Sequence, residues 1–306
     1  MVMYQKFILK PTKGGCNMTG TGTQADPYII QNFDDLLNVS GGSGTYYKLG
    51  VDIDVNDTSY ANGWKTVALY CSNFDGDGHT IRNIVMESQN STVVPFYNGY
   101  GDSNFQNLNI ENVYLLGCNP SLFSFANYHH KFTNCKFSLR IFSTSTNSDN
   151  DSILIAGQQS DFYSSSVLLE VDEKNTFHRI LNGSVYDSQF KLIIRTNASS
   201  MKSTSNKLFD SNFNGSYLLG SITCSNNTLK PAFFNSMSNS YMAANVSGFG
   251  TIKPATTILL PSFYDNDLVD SASVISSVSD LHPLTTAQCK DAAYLKSIGF
   301  AVEGSD

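Results

Sequence analysis

Hydrophobic and polar residues alternate in short runs along most of the chain, and each run follows a turn rich in Asn, Ser or Gly. Successive runs start 29, 27, 32, 22, 28 and 24 residues apart. An irregular period in the twenties fits one coil of a β-helix, because loop insertions lengthen single coils without breaking the stack. The runs are HTIRNIVM (79–86), LNIENVYL (108–115), CKFSLRIF (135–142), VLLEVDEK (167–174), QFKLIIRT (189–196), YLLGSITC (217–224) and YMAANVSG (241–248).

A short apolar cluster precedes most of these runs. We predict that each coil carries two short strands at a bend, the first followed by a turn such as NGYGDS (98–103) or NYHHKFTN (127–134). Strands of this length are stable only when they stack on equivalent strands above and below and bury one shared core. The clusters are VVPFY (93–97), LFSFA (122–126), ILIAG (153–157), LF (208–209) and AFF (232–234).

A β-sandwich is the alternative, because its strands also recur every 8–12 residues or so. It requires hairpins and antiparallel alternation, but not the same order of cluster, turn and strand in every repeat. We therefore predict an all-β chain that forms a right-handed parallel β-helix of about seven or eight irregular coils, with short helical caps at both ends. The repeated polar residues that predict stacked, equivalent turns are Asn107, Asn134, Ser166, Ser188, Ser216 and Ser240.

The N-terminal part of the chain predicts an arm and a cap. Residues 1–19 are predicted to form an arm or strand, residues 20–62 the cap and first strands, and residues 63–250 the coils. Asn32 is placed to cap a short helix over 33–39 that covers the open end of the first coil.

The C-terminal region, 251–306, is predicted to be irregular and to end in a helix. Three prolines, Pro254, Pro261 and Pro283, interrupt 249–284, which we expect to leave the solenoid and pack on its side or on a neighbouring subunit. The final helix has Thr285 or Thr286 as its cap. Its apolar face and its stop are formed by Ala292, Leu295, Ile298 and Gly299.

Composition narrows the functional classes. Charged residues make up only 15% of the chain, below the roughly 25% usual in soluble domains, and the net charge is −7. No basic run indicates nucleic-acid binding, and no stretch approaches the length of a membrane-spanning helix. The N-terminal 15 residues lack the features of a signal peptide.

The six cysteines are widely spaced and form no C-x-x-C pair, which disfavours a zinc site. Cys118, Cys135 and Cys224 lie among apolar strand residues, so buried free thiols are preferred over disulfides. Free thiols without a secretion signal fit synthesis in a reducing cytoplasm. The others are Cys16, Cys71 and Cys289.

Several spaced signatures at the start of the chain resemble a known family. GTGTQADPYIIQNFDDLLNVSGGSGTYYKLGVDIDV (20–55) and GWKTVALYCSNFDGDGHTIRNIVM (63–86) resemble the opening of bacterial and phage surface proteins, and SLFSFANYHHKFTNCKF (121–137) resembles a GLUG-type coil. The ending TTAQCKDAAYLKSIGF (285–300) is similar to endings of such proteins. The resemblance implies a parallel β-helix in a surface or tail-associated protein, and it implies no catalytic residue.

Carboxylates are the first candidates for chemistry, because glycoside hydrolysis uses two of them on either side of a sugar. Asp52 with Asp54, and Asp75 with Asp77, are interpreted as structural, the second pair as a tight Asp-Gly-Asp-Gly turn. A second group could converge on a groove, although a solvated face is preferred, and only Lys174 and Arg179 lie near it as cationic partners. This group is Asp149, Asp151, Asp161, Glu170 and Asp172.

Histidines and aromatic residues are weaker candidates. Adjacent His129 and His130 point to opposite sides of a strand and make a poor metal pair, so Tyr128–Lys131 is interpreted as a polar loop. Phe96, Phe123, Phe125 and Phe132 are predicted to be stacked core residues. Four tyrosines near turns are candidates for stacking on sugars: Tyr97, Tyr100, Tyr128 and Tyr163.

The leading hypothesis is a non-enzymatic structural or receptor-facing component of a bacteriophage particle, in the tail, baseplate or capsid decoration. It would be made in the host cytoplasm and displayed on the virion surface, as a homotrimer in contact with other virion proteins and with host-surface glycan. We predict no catalytic, cofactor or metal site, no nucleic-acid partner and no membrane insertion. The alternatives are a tailspike-like polysaccharide depolymerase and a secreted or cell-surface bacterial adhesin.

Overall fold

The structure is a computed structural model, and its described residues fall in a series of ranges. These are 18–40, 42–55, 66–69, 71–98, 101–125, 129–144, 152–156, 159–173, 176–198, 200–201, 207–225, 232–247, 253–258, 262–265, 267–268 and 281–297.

Short strands make up most of the described chain, and each helix has six residues or fewer. In chain order the elements are β1 (Tyr28–Ile30), α1 (Phe33–Leu37), β2 (Gly42–Leu49), β3 (Ile53–Asp54), β4 (Val67–Ala68), β5 (Cys71–Asp75), β6 (Thr80–Arg82), β7 (Val85–Val93), β8 (Phe96–Asn98), β9 (Ser103–Gln106), β10 (Asn109–Pro120), β11 (Phe123–Phe125), β12 (His130–Thr133), β13 (Lys136–Ser143), β14 (Ile155–Ala156), β15 (Ser160–Tyr163), β16 (Ser166–Glu173), β17 (Thr176–Phe177), β18 (Leu181–Tyr186), β19 (Gln189–Thr196), β20 (Ser200–Met201), β21 (Phe209–Asn214), β22 (Tyr217–Cys224), β23 (Ala232–Ser238), β24 (Tyr241–Ser247), β25 (Lys253–Ile258), β26 (Ser262–Asp265), β27 (Leu281–Leu284), α2 (Thr286–Cys289) and α3 (Ala292–Ser297).

Two long parallel sheets contain most of the strands. Sheet A has 10 strands in the order β1-β2-β5-β9-β12-β15-β18-β21-β23-β25. Sheet B has 11 strands in the order β3-β6-β10-β13-β16-β19-β22-β24-β26-β27, with β7 also paired to β10. A shorter sheet C has the order β4-β8-β11-β14, and β17 pairs with β20. Along the chain, strands of sheet A alternate with strands of sheet B, which is the arrangement of a solenoid.

The seven alternating runs of the sequence are neighbours in sheet B. They correspond to β6 with β7, and then to β10, β13, β16, β19, β22 and β24. From β13 to β22 the strands pair in parallel over eight residues with no shift of register. The predicted parallel β-helix is therefore confirmed.

Sheet A differs from the prediction, because segments interpreted as turns contain its strands. NYHHKFTN includes β12, in which His130 and Phe132 point inwards and Lys131 points outwards. A polar residue at an inward position hides the alternation of so short a strand. Three of the upstream clusters form sheet C instead, whereas LF and AFF lie at the start of β21 and β23 in sheet A.

Buried phenylalanines stack from coil to coil inside the solenoid. Phe105, Phe132 and Phe162 occupy paired positions in β9, β12 and β15. Their ring centroids are 5.0 and 4.9 Å apart, with planes inclined by 12° and 15°. Phe96 and Phe123 stack at 5.2 Å in sheet C. The core position predicted for Phe96, Phe123 and Phe132 is confirmed.

A two-residue turn joins strands of sheet A to the following strands of sheet B. Its first residue has a φ between 47° and 59°. Asn, Asp and Gly adopt this left-handed region more readily than other residues. The first turn residues are Asn107, Asn134, Ser164, Asp187, Gly215 and Asn239.

The second turn residue is a buried serine in four of these turns, and the serines form a ladder. The hydroxyls of Ser188, Ser216 and Ser240 accept a hydrogen bond from the backbone N–H of the serine one coil earlier, at 2.9, 3.1 and 3.2 Å. Each hydroxyl also donates to the carbonyl oxygen two residues before it. Every turn N–H in the ladder is thus satisfied by a side chain.

The predicted set of equivalent turn residues mixes two positions of this turn. Asn107 and Asn134 are first turn residues, whereas Ser188, Ser216 and Ser240 are second turn residues. The position predicted for Ser166 belongs to Ser165, because Ser166 already begins β16.

Replacing Ser188 with alanine is expected to lower the free energy of unfolding by about 1–3 kcal/mol, since it leaves the buried N–H of Ser165 without its acceptor. Chemical denaturation followed by circular dichroism measures the loss. Ser221→Ala on the outer side of β22 is the matched control and is expected to change stability by less than about 0.5 kcal/mol. An equal loss in both variants would contradict a stabilising role for the ladder.

The predicted N-terminal cap is confirmed. Asn32 accepts a hydrogen bond from the backbone N–H of Asp35 at 2.9 Å, and the carboxylate of Asp35 accepts one from the N–H of Gln31. Phe33 and Leu36 are buried against the first coil, which α1 covers. The helix ends at Leu37, two residues earlier than predicted.

The described strands of the C-terminal region extend the solenoid, contrary to the prediction. Strand β25 extends sheet A, and β26 and β27 extend sheet B. Pro254 and Pro283 are tolerated because β25 and β27 are the last strands of their sheets, where an amide donor can be absent. Pro261 and residues 298–306 lie outside the described residues.

The predicted final helix is divided into two short helices. Thr285 caps α2 with a capping box to Gln288, as expected, but a break at Lys290 and Asp291 separates α2 from α3. Ala292 begins α3.

Within the described chain, four cysteines are free thiols. Cys71, Cys135 and Cys224 are buried, and burial raises the pKa of the Cys71 and Cys135 thiols to about 12. The prediction of free thiols at Cys118, Cys135 and Cys224 is confirmed, although Cys118 is only half-buried because it faces outwards from β10. Cys16 lies outside the described residues.

Candidate functional site

Polar side chains form two rows on the outer face of sheet A. The strand registers place Lys131 between Asn104 and Asp161, and Tyr163 between Thr133 and Tyr186. We call these rows the sheet A outer face. Their members on β9, β12, β15, β18 and β21 are Asn104, Lys131, Asp161, Ser184 and Asn212 in one row, and Gln106, Thr133, Tyr163, Tyr186 and Asn214 in the other.

His129 lies between two carboxylates at the edge of this face. Its Nε2 is 3.0 Å from Oδ2 of Asp161, and its backbone N–H donates to Oδ1 of Asp102 at 2.9 Å. The other oxygen of Asp161 accepts the N–H of Ser184 at 2.7 Å. Asp161 is thereby held on both oxygens while the imidazole of His129 stays half exposed. Asp161 itself is buried, so the oriented imidazole of His129 is the group of this pair that a ligand can reach.

The two adjacent histidines point in opposite directions, as predicted. His130 is fully buried on the inner side of β12, and burial lowers its pKa to about 4. His130 and Lys131 therefore begin β12, where a polar loop was predicted.

Tyr163 and Tyr186 form a parallel stack on the outer face, with centroids 4.7 Å apart and planes inclined by 11°. The ammonium of Lys131 lies 4.4 Å from the centroid of the Tyr163 ring. Lys131 and Tyr186 thus flank Tyr163, which leaves its edge and hydroxyl for a ligand. This differs from the predicted stacking of a sugar on Tyr163, whereas Tyr97, on sheet C, is exposed.

The carboxylates that could have converged on a groove lie on different sheets. Asp161 is on β15 of sheet A, whereas Glu170 and Asp172 are on β16 of sheet B, beyond the turn at Ser164. Arg179 is buried, with its Nε 3.1 Å from the hydroxyl of Ser152 and its guanidinium 3.3 Å from Asp210. Asp161, Glu170 and Asp172 form no shared groove, because Asp161 lies on sheet A and the other two residues lie on the outer face of sheet B.

The remaining acidic pairs connect coils in the opening block. Asp52 accepts the backbone N–H of Thr80 and contacts His79, and the Thr80 hydrogen bond lowers the pKa of its carboxyl. Asp54 binds Arg82 at 2.7 Å.

Asp75 and Asp77 make the predicted turn. Asp75 accepts the N–H of Asp77 at 2.8 Å, and Asp77 has a φ of 51°. Asp77 is also ion-paired with Lys48 at 2.8 Å.

The outer face of sheet B carries a ladder of ion pairs. Glu170 lies 2.7 Å from the guanidinium of Arg140 and 3.0 Å from that of Arg195. Hydrogen bonds from both arginines hold the pKa of Glu170 below its usual range. Such a carboxylate is a poor general acid, because it is unprotonated at neutral pH.

One polar pair inside the solenoid was missed by the sequence reasoning. Oε1 of Glu173 is 2.6 Å from Nδ1 of His178, and Oε2 accepts the backbone N–H of His178 at 3.1 Å. Both side chains are buried. The alternation of VLLEVDEK carried the signal, since Val167, Leu169 and Val171 point inwards and Glu173 continues their phase.

Part of the predicted site lies outside the described residues. The described residues contain no group of three or more His, Cys, Asp or Glu residues placed to hold a metal ion. In the same residues, no helix has the length and apolar character needed to cross a membrane. The predicted site residues without a described side chain are Tyr100, Phe125, Tyr128, Asp149, Asp151 and Lys174.

No family model matches the chain. It is 31% identical over 122 residues to halomucin of Haloquadratum walsbyi, and this match spans 34% of the chain but only 1% of halomucin. A crystal structure of a proposed immunoglobulin A1 protease from Bacteroides ovatus is 12% identical, with a TM-score of 0.49, and the alignment covers 88% of this chain and 87% of that one. Neither comparison assigns a family or an activity.

Proposed function

We propose that the chain is a non-enzymatic surface module of a bacteriophage particle that binds host-surface glycan through the sheet A outer face. The observation that supports this proposal is the pair of polar rows that extends over β9, β12, β15, β18 and β21. Asp161 and Ser184 in the first row are buried. The groups of the rows that a ligand can reach lie on strands about 4.7–4.9 Å apart and belong to Asn104, Gln106, Lys131, Thr133, Tyr163, Tyr186, Asn212 and Asn214. Such a set of donors and acceptors suits a polymer of hydroxyl groups.

The contacts of the acidic residues support binding rather than catalysis. Asp161 has both oxygens bonded within the protein, and Glu170 is held between two arginines. Glycoside hydrolysis needs one protonated and one ionised carboxyl group on opposite sides of the bond that is cleaved. The placement in a particle rests on the resemblance of 20–55 and 63–86 to phage and bacterial surface proteins.

Replacing Lys131 with alanine is expected to weaken glycan binding about tenfold, because a hydrogen bond to a charged group contributes about 1.5–3 kcal/mol. Biolayer interferometry with immobilised bacterial capsular and cell-wall polysaccharides measures the affinity. Lys191→Ala, an exposed lysine on the outer face of sheet B, is the matched control and should bind as the wild type does.

Two results would contradict the proposal. Equal loss of binding in both lysine variants would show that the sheet A outer face is not the glycan-binding surface. Release of reducing ends from the polysaccharides by the wild-type protein would show an enzyme instead. Proteomic analysis of purified particles tests the location separately. Absence of the chain from every particle would contradict the virion location but not the glycan binding.

A further inference from the structure

We propose that Lys207 and Asn235 become joined by an intramolecular isopeptide bond, formed without another enzyme and with Asp210 as the proton carrier. The three residues lie on the outer side of two neighbouring strands of sheet A. Lys207 stands two residues before β21, Asp210 lies in β21, and Asn235 lies in β23, the next strand of the sheet. The inference is independent of glycan binding.

The side chains are already in contact. Nζ of Lys207 is 2.9 Å from Oδ1 of Asn235 and 3.3 Å from Oδ1 of Asp210. The carbonyl carbon of Asn235 is one C=O bond, about 1.23 Å, beyond that oxygen. A small change in the Lys207 torsions therefore carries the nitrogen from the oxygen to the carbon. Reacting groups held this close react far faster than the same groups free in solution.

The surroundings hold the three groups in place. The second oxygen of Asp210 is ion-paired with Arg179 at 3.3 Å, so its first oxygen stays directed at Lys207. The amide nitrogen of Asn235 donates to Oδ1 of Asn212 at 3.1 Å. The side chain of Lys207 is only 17% exposed, which limits competition from water.

The reaction balances without an added reagent. Asp210 takes a proton from the Lys207 ammonium, and the neutral amine attacks Cγ of Asn235 to form a C–N bond. The bond between Cγ and the amide nitrogen of Asn235 then breaks, and Asp210 returns the proton to that nitrogen. The nitrogen leaves as ammonia, and the second amine proton passes to Asp210 as the new amide forms. General acid and base catalysis of this kind contributes about 10²–10⁴-fold in rate.

The product would fasten two successive coils to each other. A covalent bridge between strands that are otherwise joined by backbone hydrogen bonds restricts the unfolded chain, as a disulfide does. An amide bridge has the further property that reducing agents do not break it. Such a bridge suits a solenoid whose described cysteines are free thiols.

Mass spectrometry of the intact protein tests the proposal. The wild type is expected to weigh one ammonia molecule less than its sequence, whereas Lys207→Arg, which keeps the charge but not the amine, should have its full sequence mass. Tryptic digestion should give a branched peptide that joins Lys207 to Asn235, with no cleavage after Lys207. A wild type with full mass, ordinary cleavage after Lys207 and no branched peptide overturns the proposal.

Two further variants exclude other sources of the mass loss. Succinimide formation at Asn182–Gly183 or Asn214–Gly215 also releases ammonia, but it yields no branched peptide. Asn235→Asp should lose one water molecule in place of ammonia, and loss of ammonia from this variant would place the reaction elsewhere. Asp210→Asn should form the branched peptide about a hundredfold more slowly, and an unchanged rate would overturn the role of Asp210.

Discussion

Replacing His178 with alanine is expected to lower the free energy of unfolding by about 3–5 kcal/mol, the usual result of leaving a buried ionisable group without its partner. Glu173 would keep its place inside the solenoid but lose the hydrogen bond of 2.6 Å from the imidazole. Glu173 is buried, and the backbone registers on both sides of β16 direct its side chain inwards.

The loss should depend on pH in a defined direction. Burial raises the pKa of Glu173, and the hydrogen bond and charge of His178 oppose the rise. An acid whose pKa is raised in the folded state holds its proton longer than in the unfolded state. The stability of the fold therefore falls as pH rises from the unfolded value, about 4.3, through the folded value. Without His178 the rise is larger, so the variant should lose more stability at pH 7 than at pH 4.

Chemical denaturation of the wild type and His178→Ala at both pH values measures this difference. Asp172→Asn, on the outer face of the same strand, is the matched control and should change stability by less than about 0.5 kcal/mol. A double variant with leucine at 173 and 178 should recover most of the loss, since it removes the buried charge as well as its partner. A loss that is equal at both pH values would contradict the larger rise in the pKa of Glu173 that is expected in the His178→Ala variant.

The fold was predictable because the strands of sheet B repeat at a period that is visible in the sequence. Four of its strands, β13, β16, β19 and β22, have eight residues each, and residues such as Leu169 and Leu192 mark the inward phase. Sheet A strands such as β12 have only four residues, and the inward His130 interrupts their apolar pattern. The prolines led to the wrong prediction that 249–284 leaves the solenoid. A proline indicates a break within a sheet, but it is compatible with the last strand of one.

The candidate site was less predictable, since its contacts join residues from different coils. Lys131, Asp161 and Tyr163 come together only once the register between β12 and β15 is known. A shift of register by one residue would turn each of them to the opposite side of the sheet. Lys207 and Asn235 depend in the same way on the pairing of neighbouring coils, which no local pattern specifies.

Replacing Phe132 with alanine is the second change with a large expected effect, a loss of about 3–5 kcal/mol. Its ring is fully buried between Phe105 and Phe162, and its centroid lies 5.6 Å from that of Phe137 in an edge-on contact. Removal leaves a cavity between coils whose backbones are held by the ladder hydrogen bonds and cannot close over it. Phe142→Ala, on the outer face of sheet B and half-buried, is the matched control with an expected loss below about 1.5 kcal/mol.

The location of the destabilised coils in Phe132→Ala is as informative as the amount of stability lost. In a solenoid each coil contacts only its neighbours, so a cavity in one coil should weaken nearby coils first. Hydrogen exchange of Phe132→Ala should therefore show faster exchange in β9, β12 and β15, with β24 close to its wild-type rate. Equal acceleration of exchange along the whole chain would instead indicate one cooperative unit, in which the stack of phenylalanines links all coils into a single unfolding transition.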